Sequence, residues 1–260
     1  MTMAATRYMP DSRAADLTAG FAVALLSGGI TWWVTGQATS YLLLTAGLYA
    51  TLATFIWIRI PKGAPGPGLG PANRITLGRA ALAVPVLALA LRPEPLGTGA
   101  LWWVIGLSTV VLVLDIFDGK VARRTGTQTR FGARFDMEVD AAVILTLSAI
   151  VWQSDKVGAW VLLIGGMRYL FVAASWIWSA LRAELPPSTR RQTVCVVQGV
   201  ALLVALGLPD RMAVAVVGAS LAALVYSFGV DVRWAVAAAA GQPGAASASE
   251  PAAASNTSIL

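Results

Sequence analysis

The chain has no histidine and a single cysteine, and only 12% of its 260 residues are charged. Without histidine, Ser-His-Asp triads, Cys-His dyads, histidine general bases and His-ligated zinc or haem are excluded. One cysteine, Cys195, forms neither an intrachain disulfide nor a CxxC site. Within VCVVQGVALLV it reads as a small buried residue. Soluble domains carry about 25% charged residues. The deficit here, with 57% hydrophobic residues, marks a membrane protein. Any acid–base or metal chemistry must therefore rest on carboxylates. The net charge of +6 fits basic cytoplasmic loops rather than nucleic-acid binding.

A bilayer core of about 30 Å needs roughly 20 apolar residues in a helix. About eight runs qualify, near 17–35, 39–58, 75–92, 97–116, 134–153, 157–181, 192–208 and 211–230. The fourth is expected to continue through Val121 and the fifth to begin near Gly132. The predicted fold is all-α, a polytopic transmembrane helix bundle. A Pro/Gly-rich linker, 60–72, divides a two-helix hairpin, 1–59, from a six-helix body, 73–235. The small, polar tail at 236–260 is expected to be disordered. No cleavable signal peptide is expected, because the first apolar run is long enough to span.

Arg7, Arg13, Arg59, Lys62, Arg74, the Lys120–Arg134 group, Arg182, Arg190, Arg191 and Arg233 fall on one side of an eight-span chain. That side, with both termini, is expected to be cytoplasmic in a plasma membrane. Trp32, Trp33, Trp102, Trp103, Trp152 and Trp160 lie near the opposite helix ends, as interfacial anchors.

Against this background the stretch DIFDGKVARRTGTQTRFGARFDMEVD, 115–140, stands out. Asp115, Asp118 and Ala122 share one helix face, with Gly119 at its edge. Gly132, Asp136 and Asp140 stack at intervals of four on the next helix. If these faces meet, four carboxylates converge, and like charges at such range need cations. Oxygen-only ligands favour a hard ion, Mg²⁺ or Mn²⁺, and four carboxylates suit two of them. Such ions clamp a diphosphate. Gly119, Ala122, Gly132 and Ala133 permit close approach of a backbone or a flat ligand. Arg123 offers a phosphate a two-pronged contact, and Thr129 a hydroxyl donor. Solvated loop charges would need neither helical spacing nor an aspartate directly after VVLVL.

The spacing DxxDGxxAR-x8-GxxxDxxxD is filled without departure by Asp115, Asp118, Gly119, Ala122, Arg123, Gly132, Asp136 and Asp140. Over about residues 70–235 the chain resembles the CDP-alcohol phosphotransferases, membrane enzymes of phospholipid headgroup synthesis. The resemblance implies a two-metal site at the four aspartates, with Asp140 as general base. It implies donor contacts from Gly119, Ala122, Arg123, Thr129 and Gly132. Asn73, Thr76 and Arg79, in NRITLGRAAL, resemble the segment that opens the family's first helix and are expected as further donor contacts, with a helix cap and membrane-edge anchors as the alternative. The implied reaction takes a CDP-linked lipid, most plausibly CDP-diacylglycerol, and a small alcohol, and releases CMP.

The acceptor stays open. Arg190, Arg191 and Arg233 sit at cytoplasmic helix ends, suited to an acceptor phosphate or to anionic lipid. Arg168 falls inside a predicted helix and needs a partner, a site carboxylate or a phosphate. Glu138 lies off the Asp136/Asp140 face. Two other classes compete: an intramembrane prenyltransferase, whose two Asp-rich motifs lie far apart in sequence, and a non-catalytic lipid-binding or transport protein, which would favour mid-membrane acids or internal repeats. The N-terminal hairpin has small residues suited to packing or to a homodimer contact.

Overall fold

The computed structural model describes residues 10–60, 68–92, 94–125, 129–182, 186 and 188–241. Side chains at 10, 11, 116–128, 130, 179 and 182 lie outside this description. So do most of the expected linker and residues 242–260 of the expected disordered tail, whose first residues, 236–239, instead complete the last helix.

Among the described residues there are eight α-helices and no strand. They are α1 (Pro10–Thr35), α2 (Ser40–Arg59), α3 (Pro71–Ala90), α4 (Thr98–Thr125), α5 (Arg130–Gln153), α6 (Leu162–Ile177), α7 (Thr189–Gly207) and α8 (Asp210–Ala239). Six are long and apolar enough to cross a membrane, in a multi-pass helical bundle. The two that fall short are α5 and α7. Arg130, Arg134, Asp136, Glu138 and Asp140 occupy the first half of α5, and Arg190, Arg191 and Gln192 open α7.

Helix ends follow local chemistry. Gly70, at φ +83°, turns the chain into Pro71 at the first helical position. Proline suits that position, since its missing N–H would have no helical partner there. Hence α3 begins before the expected 75. Thr129 caps α5, its Oγ1 accepting from Gly132 N at 2.9 Å. Lys156 Nζ donates to Leu206 O and Leu208 O at 2.6 and 2.9 Å, closing the far end of α7.

Helix α3 is the central element. Within its span 61% of residues are buried, against at most 28% in the other five. It packs on α1, α2, α4 and α5. The N-terminal hairpin is bonded into this bundle rather than set apart from it. Tyr41 Oη donates to Pro85 O of α3 and Tyr49 Oη to Leu17 O, both at 2.8 Å. Trp103, expected as an interfacial anchor, is bonded within the bundle: its Nε1 donates to Thr31 Oγ1 at 2.9 Å, tying α4 to α1. Trp33 and Trp102 are well exposed, in keeping with an anchor role.

Helices α5 and α6 meet where Gly165 faces the Leu145 backbone. A Cβ at Gly165 would stand 2.7 Å from Leu145 N, while one at Gly166 meets nothing within 4 Å. Gly165→Ala is therefore expected to destabilise the fold by about 1–3 kcal/mol, the usual cost of overpacking. Thermal unfolding in detergent should show a lowered Tm for Gly165→Ala and an unchanged or slightly raised one for Gly166→Ala.

Candidate active site

Helices α4 and α5 bring three acids together, and α3 adds their counter-charge. Asp115 of α4 and Asp136 and Asp140 of α5 each place a carboxylate oxygen within 4.8 Å of the others. Arg79, from α3, lies beneath them with its side chain 1% exposed. Its Nη1 donates to Asp115 Oδ1. Its Nη2 stands 2.5 Å from Asp140 Oδ1 and 3.2 Å from Asp136 Oδ1. The forked guanidinium thus bridges carboxylates that would otherwise repel one another. Only hard oxygen donors form this group, so the set fits a divalent ion such as Mg²⁺ or Mn²⁺.

Arg79, expected as a donor contact or a membrane-edge anchor, turns its guanidinium to these carboxylates. A charge buried in a membrane helix must find an opposite charge. The signal was in the sequence, because Arg79 falls two turns inside an apolar helix.

The backbone of α4 stays helical to Thr125, so Asp118, Gly119, Ala122 and Arg123 continue the helix that carries Asp115. Their side chains lie outside the described residues. Thr76 is buried on α3, one turn before Arg79. Asn73 Nδ2 donates to Leu69 O at 2.8 Å, and its Oδ1 lies against Gly132. A Cβ at Gly132 would collide with that oxygen and stand 3.0 Å from Thr129 Oγ1. Glycine here lets the starts of α3 and α5 touch.

The acids open onto a cleft of about 860 Å³ between α4, α5 and α7. Asp115, Asp136, Asp140, Gln192 and Cys195 form one end, and Trp102 and Leu208 mark the other. Between them the wall is almost wholly apolar, with Leu112, Ile144 and Val200 among its residues. From Asp115 to Trp102 this wall runs about 20 Å along α4. Cys195 is exposed to this cleft, contrary to the buried position expected from its apolar neighbours. Neighbours along a helix do not say which face meets a void.

The basic residues divide. Arg190 donates to Ser227 O and Oγ and to Asp231 Oδ1. Arg191 donates to Asp231 Oδ1 at 3.3 Å and to Pro186 O. Asp231, buried on α8, thus orients both guanidiniums at the start of α7. Arg233 is exposed on α8. Arg168 pairs with Glu138 and reaches Met137 Sδ, on another face of α5 from Asp136 and Asp140. Its described partners, Glu138 and Met137, are not among the site aspartates.

The sequence model of the family described as CDP-alcohol phosphatidyltransferase matches residues 69–238, which include every helix that contributes to this site. The chain belongs to that family. As a CDP-alcohol phosphatidyltransferase it is a membrane transferase of phospholipid synthesis, acting on a CDP-linked donor and an alcohol acceptor. This decides against the prenyl-diphosphate and transport alternatives. The chain is 31% identical over 172 residues to a phosphatidylinositol phosphate synthase from Corynebacterium glutamicum, across 64% of this chain and 70% of that protein. No solved structure matches the chain significantly. Helices α1 and α2 lie outside the family match.

Proposed function

We propose that the protein transfers a phosphatidyl group from CDP-diacylglycerol to the hydroxyl of an inositol phosphate, releasing CMP. The carrying observation is the cleft: carboxylates at one end and an apolar wall continuing along α4 and α7. A lipid nucleotide has the same division, with a charged diphosphate joined to acyl chains. The similarity to a phosphatidylinositol phosphate synthase supports the acceptor.

Asp115, Asp118, Asp136 and Asp140 would hold divalent ions, two Mg²⁺ with Mn²⁺ as substitute. When bound, such ions neutralise charge on the diphosphate and the departing CMP. Arg123 grips a donor phosphate, and Gly119, Ala122 and Gly132 leave room for the nucleotide. The Thr129 hydroxyl accepts from Gly132 N and keeps its own proton to donate to the nucleotide. Asn73 and Thr76 support that side from α3. Asp140 takes the proton of the acceptor hydroxyl. The acceptor oxygen then bonds to the lipid-side phosphorus, and the bond from that phosphorus to the CMP oxygen breaks. CMP leaves with the bonding electrons.

Arg190, Arg191 and Arg233 receive the acceptor phosphate. Arginine forks suit a phosphate, and Asp231 holds two of them ready. Arg168, engaged by Glu138, is left out of this set. The asymmetry of basic residues supports a site on the cytoplasmic face of the plasma membrane, with both termini on that side. In this arrangement 73–235 is the transferase domain and 1–59 an added hairpin.

CMP release from CDP-diacylglycerol and Mg²⁺ by purified protein tests the proposal. Inositol phosphate is expected to support release, and inositol, glycerol phosphate, serine and phosphatidylglycerol are not. Release with another acceptor alone would reassign the substrate. No release with any would overturn the proposal. The cleft makes a separate prediction. Val200→Trp should raise KM for a long-chain donor about tenfold, the effect of losing roughly 1.4 kcal/mol of binding. Binding of CDP itself, measured by calorimetry, should be unchanged.

A further inference from the structure

Helix α1 lies outside the family match, yet it reaches the segment that opens α3. Asp16 Oδ2 accepts from Leu69 N at 2.8 Å. Its Oδ1 meets Arg74 Nε at 2.8 Å. The Asp16 side chain is 13% exposed, so little water competes for these contacts. Gly68, at φ +73°, brings the chain so close that a Cβ there would strike the Asp16 carboxylate. Leu69 then serves as a node. Its N–H is held by Asp16, and its carbonyl accepts from Asn73 Nδ2. Asn73 touches Gly132 beside the Thr129 cap of α5, and α5 carries Asp136 and Asp140. On the same helix as Asn73, Thr76 and Arg79 follow toward the carboxylates.

We propose that Asp16 is a positioning residue for the transfer site, acting through the Leu69 backbone to fix the start of α3 against the start of α5. The inference rests on the transferase reaction for its kinetic consequence, but its structural half stands alone. A largely shielded carboxylate that accepts from a backbone N–H and an arginine makes strong, charge-assisted bonds. Small displacements of groups that align a reaction cost rate steeply, up to about a hundredfold for 1 Å.

The two bonds of Asp16 can be separated. Asp16→Ala removes both. Asp16→Asn keeps an acceptor for Leu69 N–H while losing the negative charge. Arg74→Gln removes the ion pair and leaves the Leu69 bond. Two readouts are needed, hydrogen exchange of the 68–76 segment and steady-state kinetics of CMP release. Asp16→Ala should speed exchange at the Leu69 amide and lower kcat/KM for the donor about tenfold or more, with acceptor KM little changed. Asp16→Asn should recover most of that loss, and Arg74→Gln should keep slow exchange at the Leu69 amide and most of the activity. Unchanged exchange in Asp16→Ala, or equal kinetic damage in Arg74→Gln and Asp16→Ala, would overturn the proposal. Failure of the transferase assignment would appear differently, as faster exchange in Asp16→Ala with no CMP release from any form, wild type included.

Discussion

Asp140→Asn is expected to lower kcat for CMP release by about a thousandfold or more while leaving the protein folded. Asparagine fills the same volume but cannot take the acceptor proton, and a general base contributes about 10²–10⁴-fold. It also removes one charge from the three oxygens gathered within 4.8 Å, weakening any divalent ion held there. Glu138→Gln is the matched control. Glu138 lies two residues away on the same helix but faces Arg168. Its loss should leave kcat within about twofold, in the range of surface substitutions. An Asp140→Asn protein that kept a tenth of wild-type turnover would remove Asp140 from the chemistry.

Arg79→Met should separate two states of the protein. Without metal, Arg79 is the buried cation that holds Asp115, Asp136 and Asp140 together. Methionine occupies comparable space but leaves those carboxylates uncompensated. Breaking a fully buried pair costs about 3–5 kcal/mol, and the cost here is smaller because the three carboxylates are partly open to solvent. In EDTA the variant should unfold at a clearly lower temperature than wild type. Millimolar Mg²⁺ or Mn²⁺ should restore much of that loss, since a ligand of the folded state stabilises it by mass action. The metal-induced rise in Tm should thus be larger in Arg79→Met than in wild type. Equal Tm values in EDTA would show that Arg79 is not the required counter-charge.

The helices and the meeting of Asp115 with Asp136 and Asp140 were legible in the sequence for simple reasons. Apolar length reports a span, and spacing by three and four reports a helix face. The same logic loses force where a helix is shared between membrane and site. Composition alone does not qualify α5 and α7 as spans, because their N-terminal portions carry several charged and polar residues. Partners across helices were less legible. Arg79 and Arg168 both sit inside helices, and spacing along one helix does not say which neighbour supplies the counter-charge. One turned to the aspartates and the other to Glu138. Cys195 and Trp103 illustrate the same gap, because burial and bonding depend on the facing helix. Asp16 was the least visible. It belongs to no motif, and its role depends on contact with a loop more than fifty positions away in the chain.

The most direct test of the account is the position of a bound metal. Crystals of the protein grown with Mn²⁺ and CDP, measured at the manganese edge, should show anomalous density between Asp115, Asp136 and Asp140, with the CDP diphosphate against it. Ordered CDP elsewhere, or no anomalous peak at these carboxylates with Arg79 still bridging them at saturating Mn²⁺, would contradict it.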